Sequence, residues 1–155
     1  MSGKEPVSEI ASAVESTAEA LVGVLDAARL AQIPAIPPAQ LRVLTIVSAN
    51  RHTNMSRLAE ALDVVPSSAS RLCDRLEATG LLRRVPDPRD RREVRLLLTP
   101  SARRVLEDLH ARRRDALAAV LERMTPAARE ELVRALGAFQ VATGEDEAAG
   151  GLRTA

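Results

Sequence analysis

The sequence has almost no aromatic side chains, since it contains no tryptophan, no tyrosine and a single phenylalanine, Phe139. A flat ligand would therefore find no set of rings on which to stack. Cys73 is the only cysteine, so no intrachain disulfide can form, and a single free thiol is typical of a reducing compartment. We expect a cytoplasmic protein.

Long apolar runs and catalytic motifs are also missing. No run approaches the roughly 20 apolar residues of a membrane helix, and no apolar segment follows residues 1–10 as it would in a signal peptide. A glycine-rich phosphate loop and a nucleophile elbow are absent. His52 and His110 are far apart and lack a cysteine or acidic cluster at metal-ligand spacing. These absences predict no catalytic residues, no cofactor, no metal and no membrane contact.

Arginine is abundant instead, and Lys4 is the only lysine. Residues 51–115 hold fifteen basic and ten acidic side chains, whereas both flanking segments are slightly acidic. The planar guanidinium suits phosphates and base edges, although a solvated surface is the commoner role of an arginine cluster. The length of 155 residues fits one folded domain with a real core.

Both ends of the chain show helical periodicity. Apolar residues recur at spacings of three and four from Val7 to Ala28, then again after Pro100 and after Pro126. An amphipathic helix that precedes any compact core needs a partner surface, so residues 7–31 and 101–141 are predicted to form dimerisation helices. Residues 143–155 are acidic and rich in small side chains, and we expect a disordered tail.

The middle of the chain, residues 38–99, has the pattern of a helix-turn-helix followed by a hairpin. Thr53 or Asn54 can cap a short helix, and Pro66 can begin a second helix that ends before Gly80. Two short helices with a tight connection form the helix-turn-helix motif. One face of the second helix suits the major groove of DNA, because its side chains are small and hydroxylated, then basic: Ser67, Ser68, Ser70, Arg71, Asp74 and Arg75.

Two short apolar segments, residues 81–85 and 93–98, predict the strands of the hairpin. The tip between them reads "DPRDRR" and carries Arg89, Arg91 and Arg92, which suit a narrow, negative minor groove. Asp90 is expected to hold a neighbouring arginine by a charge-assisted hydrogen bond. The hairpin is thus a wing.

The segments "PPAQLRVL" (37–44), "RLAEALDVVPSSASRLCDRLEATGLLRR" (57–84) and "DPRDRREVRLLLT" (87–99) resemble the MarR family of dimeric bacterial winged-helix regulators. The resemblance implies a mainly α-helical fold with a small β-hairpin wing, and it aligns Arg92 with the family's minor-groove arginine. Two positions depart from the family pattern. Val65 stands where a capping hydroxyl residue is common, and Ala102 stands where glycine is common.

The sequence therefore predicts a homodimeric, nucleoid-associated regulator that binds a pseudo-palindromic operator in double-stranded DNA, with repression favoured over activation. Its predicted DNA-binding residues are Thr53, Asn54, Ser67, Ser68, Ser70, Arg71, Arg75, Arg89, Asp90, Arg91 and Arg92. The alternative is a winged-helix module for protein–protein assembly, which would not need serines and arginines on the exposed face of its second helix.

Whether a small-molecule effector exists stays open from the sequence. The resemblance places such a ligand near the first, second and fifth helices, where Arg51, His52 and His110 could act as polar partners. Cys73 lies on the inward stripe of its helix and is expected to be a core residue rather than a redox sensor.

Overall fold

The computed structural model describes residues 6–33, 35–90 and 92–144. It divides into two compact units, Met1–Arg114 and Asp115–Ala155. The secondary structure elements, in chain order, are α1 (Val7–Leu30), α2 (Pro38–Ala49), α3 (Met55–Leu62), α4 (Pro66–Ala78), β1 (Leu82–Pro86), β2 (Val94–Leu98), α5 (Pro100–Leu121) and α6 (Pro126–Ala142). The predicted fold class, mainly helical with one small hairpin, is confirmed.

The connection between α3 and α4 is set by local backbone chemistry. Asp63 follows the last residue of α3 in the left-handed conformation, with φ 55° and ψ 49°. This turn allows the amide of Val64 to donate to the carbonyl of Ala59 at 3.1 Å, which closes the end of α3. Pro66 then begins α4 at a position where a missing amide costs nothing.

Val65 precedes α4 and supplies no side-chain cap, and in the described part of the chain no other side chain replaces it. Its backbone carbonyl instead accepts from the amides of Ser68 and Ala69, at 2.9 and 3.2 Å. Pro66 has no amide to satisfy. The helix therefore begins without the hydroxyl cap that the family resemblance leads one to expect at this position.

Gly80 turns the chain from α4 into the hairpin. Its φ of 72° is a conformation that side chains disfavour, and it lets the amide of Leu81 donate to the carbonyl of Leu76 at 2.8 Å. The Thr99 hydroxyl donates to the Gly80 carbonyl at 2.7 Å and accepts from the amide of Ala102 at 3.1 Å. Thr99 thus joins the end of the hairpin to its beginning and caps α5.

The hairpin is antiparallel and pairs Leu82 with Leu98 at its base and Pro86 with Val94 near its tip. Alternate residues face inward, so that Leu82, Leu96 and Leu98 are buried. Each strand lies within one residue of its predicted bounds.

One hydrophobic core holds these elements together within the first unit. It includes buried residues from α2, α3, α4 and both strands, and it continues into α5 through Ala102, Leu106 and Leu109. The core thus extends past the predicted lobe boundary at residue 99. Ala102 is fully buried, so its methyl group fills space in the core. Because helix-turn-helix and hairpin share this core, their relative position is set by packing.

The apolar stripes of the terminal helices remain largely exposed. In α1, which belongs to the first unit, only Ala28 is buried. In the second unit, Arg129 Nε donates to the carbonyl of Leu121 at 2.7 Å and so closes the end of α5. Among the described residues of α6 none is buried, and Phe139 is 60% exposed. Of the predicted disordered tail, Thr143 and Gly144 are described and end α6, and residues 145–155 lie outside the described residues.

Candidate nucleic-acid interface

The α4 helix separates a buried face from a polar one. Ala69 and Cys73 on the inner face are fully buried, which fixes the rotation of the helix. On the outer face Ser67, Arg71 and Arg75 are exposed, and Ser68 and Ser70 are half-buried at its edge. The structure therefore brings the five predicted residues to one side of α4. The short serine side chains lie nearer the N-terminus of the helix, and the long arginine side chains follow them.

Arg84 on β1 ties the hairpin to α4, a role that the sequence interpretation missed. Its guanidinium contacts the Asp74 carboxylate at 2.7 Å and the Glu77 carboxylate at 2.6 Å, and it also donates to the Ser70 carbonyl at 3.3 Å. Burial alone would lower the pKa of Arg84, but the hydrogen bonds that its guanidinium donates to Asp74 and Glu77 outweigh burial and raise the pKa above its ordinary value. Asp74 is therefore engaged within the protein.

A sequence signal for this contact does exist. Strand alternation puts Arg84 on the same side of β1 as the buried Leu82. An arginine on an inward face needs acidic partners, and Asp74 and Glu77 stand one turn apart on the preceding helix. These two observations together predict the ion pairs of Arg84 with Asp74 and Glu77, which are called the Arg84 clamp below.

The wing tip is shaped by two carboxylates that accept backbone hydrogen bonds. Asp87 Oδ1 accepts from the amide of Arg89 at 2.7 Å, and Asp90 Oδ1 accepts from the amide of Arg92 at 2.9 Å. Among the described residues the Asp90 carboxylate orders the backbone, and the predicted hydrogen bond from Asp90 to a neighbouring guanidinium stays a prediction. Arg89 and Arg92 are exposed, and Arg91 lies outside the described residues.

The hydrogen bond from the Arg89 amide to Asp87 also affects the ionisation of the Asp87 carboxyl group. The amide of Arg89 lowers the pKa of Asp87 below its ordinary value, because the hydrogen bond favours the charged carboxylate. Asp87 also lies near Arg95, with Oδ2 and Nε 3.8 Å apart. The turn is consequently held by an ionised carboxylate at neutral pH.

Asn54 joins the start of α3 to the wing. Its Oδ1 accepts from the amide of Arg57 at 2.9 Å, which caps α3, and its Nδ2 donates to Glu93 Oε2 at 3.2 Å. The capping prediction is thus confirmed for Asn54. Both polar groups of the Asn54 side chain thus link α3 to the wing, and the predicted contact of Asn54 with DNA stays a prediction.

Thr53 does not reach the surface, and its predicted contact with DNA is corrected. Its side chain is 2% exposed, and its hydroxyl donates to the Asn50 carbonyl at 3.1 Å. The Thr53 carbonyl accepts from the amide of Leu96 at 2.9 Å, which seats the hairpin against this loop. Burial in the hairpin contact removes Thr53 from the candidate interface.

Cys73 lies behind the interface in the core. Burial raises the pKa of its thiol to about 11, so the thiol stays protonated and unreactive at neutral pH.

Among the described residues, no helix combines the length and apolar character needed to span a bilayer. Across the same part of the chain, no three His, Cys, Asp or Glu side chains gather as a metal site requires.

Comparison with known proteins agrees with this geometry. A sequence model of the MarR family matches residues 36–93, the segment that runs from α2 through the wing. The crystal structure of RV1404 from Mycobacterium tuberculosis is 36% identical, with a TM-score of 0.80 over 92% of this chain and 97% of that one. The chain belongs to the MarR family.

Two further relatives support the MarR assignment. The HTH-type transcriptional repressor MdtR of Bacillus subtilis is 33% identical over 100 residues, which span 64% of this chain and 63% of MdtR. The transcriptional regulator Tm0710 from Thermotoga maritima is 25% identical, with a TM-score of 0.70 over 85% of this chain and 94% of that one. The winged helix-turn-helix and the absence of an enzymatic function are thereby confirmed at the level of the family.

Proposed function

We propose that this MarR-family chain is a transcriptional regulator that binds a specific operator in double-stranded DNA, most simply as a repressor. The named relatives support the general class, since one is a repressor and another a transcriptional regulator. The specific proposal rests on the α4 face and the wing tip, which present short polar and cationic side chains from one shared core.

The observation that carries the proposal is the Arg84 clamp. It holds α4 and β1 together through Asp74 and Glu77, so helix and wing meet DNA as one unit. We assign base readout in the major groove to Ser67, Ser68, Ser70 and Arg71, and base or phosphate contact to Arg75. Minor-groove contact is assigned to the exposed wing arginines Arg89 and Arg92, with Arg91 beside them.

A homodimer follows from the terminal helices in this proposal. A single recognition helix and wing make a small footprint, and two copies give a more useful specificity ratio. We assign the partner surface to residues 7–31 and 101–141, where Ile10, Val14 and Phe139 are exposed. A twofold dimer reads an inverted repeat with half-sites about 34–36 Å apart.

The experiment selects bound fragments from the source genome and then titrates salt against wild type and two variants. Arg71→Ala should cost about 1–3 kcal/mol and relax preference at one position per half-site. Arg92→Ala should weaken binding to all sequences and flatten the salt dependence, because a phosphate-linked counterion is no longer released. Arg42→Ala removes the same charge from an exposed residue of α2 that is assigned to neither the DNA-binding nor the partner surface, and it should change neither quantity.

Protein–protein assembly through the same winged helix remains the competing function. It predicts that operator binding is weak, sequence-independent and unaffected by Arg71→Ala. If selection yields no common sequence, or both variants bind as wild type does across salt, the DNA-binding assignment fails. Analytical sedimentation tests the dimer separately. A folded monomer at micromolar concentration would exclude the proposed partner surface.

A further inference from the structure

Two apolar residues form the exposed N-terminal end of α4, ahead of the serines assigned to base readout. Val65 directly precedes the helix and is 62% exposed, and Pro66, the first residue of the helix, is exposed as well. Recognition helices contact base edges mainly through their N-terminal residues. In the proposed DNA complex, the groups nearest the bases therefore include an aliphatic side chain.

Helix stability does not explain the valine at this position. Valine is among the least favoured residues before the first turn of a helix, where serine, threonine, aspartate or asparagine accepts an amide hydrogen bond. The Val65 side chain makes no such bond, and only its carbonyl accepts, from the amides of Ser68 and Ala69 at 2.9 and 3.2 Å. Any residue offers that carbonyl. Burial does not explain the valine either, since most of its side chain faces solvent.

An aliphatic side chain can make only one kind of base-specific contact in the major groove. Valine offers no hydrogen bond to a phosphate or to a polar base edge. Thymine alone among the four bases carries an apolar group there, the C5 methyl. We propose that Val65 is a specificity-determining residue that packs against the C5 methyl of one thymine in each half-site. This inference rests on the proposed DNA-binding function and extends it to a particular base.

The surroundings of Val65 hold its side chain in a defined place. Valine is branched at Cβ, so its χ1 angle is restricted and little side-chain entropy is lost when a methyl group packs on it. Pro66 fixes the backbone that follows, and the buried Ala69 and Cys73 fix the rotation of α4. Isolated exposed valines are common on protein surfaces, but this one stands at the end of the helix assigned to the groove.

The test replaces single thymines of the selected operator by uracil, which removes the methyl group and leaves every hydrogen-bonding group of the base in place. Fluorescence anisotropy measures the affinity of the full chain for each substituted operator at constant salt. We expect one position per half-site at which uracil weakens wild-type binding about three- to fivefold, as for one methyl group lost from an apolar contact. At the remaining thymines the affinity should stay close to that of the unsubstituted operator.

Two substitutions of Val65 separate base readout from helix stability. Val65→Ala shortens the side chain, whereas Val65→Ser supplies the hydroxyl cap that α4 lacks and should not lower the free energy of unfolding. In both variants, uracil at the critical position should no longer change the affinity, because no apolar contact is left to lose. A purely structural role of Val65 predicts the opposite result, an undiminished uracil effect in Val65→Ser.

Val64→Ala is the matched control. Val64 is the neighbouring valine and is 39% exposed, but it belongs to the connection that closes α3, where its amide donates to the Ala59 carbonyl at 3.1 Å. This variant should keep the full uracil effect. The inference is overturned if the effect persists in Val65→Ala and Val65→Ser, or if Val64→Ala abolishes it.

Failure of this inference differs from failure of the proposed function. A selected operator that tolerates every uracil substitution, or that has no thymine in its half-sites, leaves DNA binding in place and refutes the contact of Val65. Selection that yields no common sequence refutes the DNA-binding function, and the assignment of Val65 falls with it. The two failures are therefore distinguishable.

Discussion

Replacing Arg84 by methionine should destabilise the first unit, because it removes the guanidinium while keeping an aliphatic stem of similar reach. The side chain of Arg84 is 25% exposed, and its partners Asp74 and Glu77 are 59% and 35% exposed. Arg83→Met is the matched control, since Arg83 precedes Arg84 on the same strand and is exposed.

The magnitude follows from these exposures. The bond to Asp74 is largely solvated and should contribute no more than about 1 kcal/mol. The bonds to Glu77 and to the Ser70 carbonyl are better shielded, and together should contribute about 1–2 kcal/mol. Arg84→Met should therefore lower the free energy of unfolding by about 1–3 kcal/mol, and Arg83→Met by less than about 0.5 kcal/mol.

Urea unfolding followed by circular dichroism measures both variants, with equal m-values as the check that each unfolds in the same manner. A double-mutant cycle with Glu77→Gln isolates the pair. Gln keeps an acceptor for the Arg84 amide, which now bonds Glu77 Oε1 at 3.1 Å, so the cycle reports the charged contact. We expect a coupling of about 1 kcal/mol. A coupling energy near zero between Arg84 and Glu77 would refute the stabilising role of the Arg84 clamp. Equal losses of unfolding free energy in Arg84→Met and Arg83→Met would refute it as well.

Three further predictions concern single side chains. Cys73 should resist iodoacetamide and peroxide in the folded protein and react only on unfolding, because burial raises its pKa to about 11; rapid native labelling would disprove its burial. Asn54→Ala should lower the free energy of unfolding in urea by about 1 kcal/mol through loss of the α3 cap, whereas Asn54→Ser should retain the cap. Equal stability of wild type and Asn54→Ala would contradict the capping role. Asp87 has a lowered pKa, so its contribution to stability is present above about pH 4, the ordinary aspartate pKa, and is lost as pH falls through the lower folded value. An NMR titration of the Asp87 carboxyl should give a midpoint below that of a model peptide, and a midpoint above it would contradict the tip geometry.

The local features of the fold could be predicted from the sequence because each depends on a few neighbouring residues. Helical periodicity, Pro66 at the start of α4, Gly80 beyond its end and the Asn54 cap are all set within about one helical turn. The inward position of Cys73 likewise follows from its place in a stripe of period 3.6.

The partners of polar side chains were decided only by tertiary structure. Thr53 is buried because the hairpin packs over its loop, and Arg84 finds Asp74 and Glu77 because β1 returns alongside α4. One pocket likewise brings together Val47, Arg51, Arg95 and Arg103, which come from α2, the loop before α3, β2 and α5. Sequence period specifies which face of an element is buried, but the group that a side chain meets depends on how elements distant in sequence pack against one another.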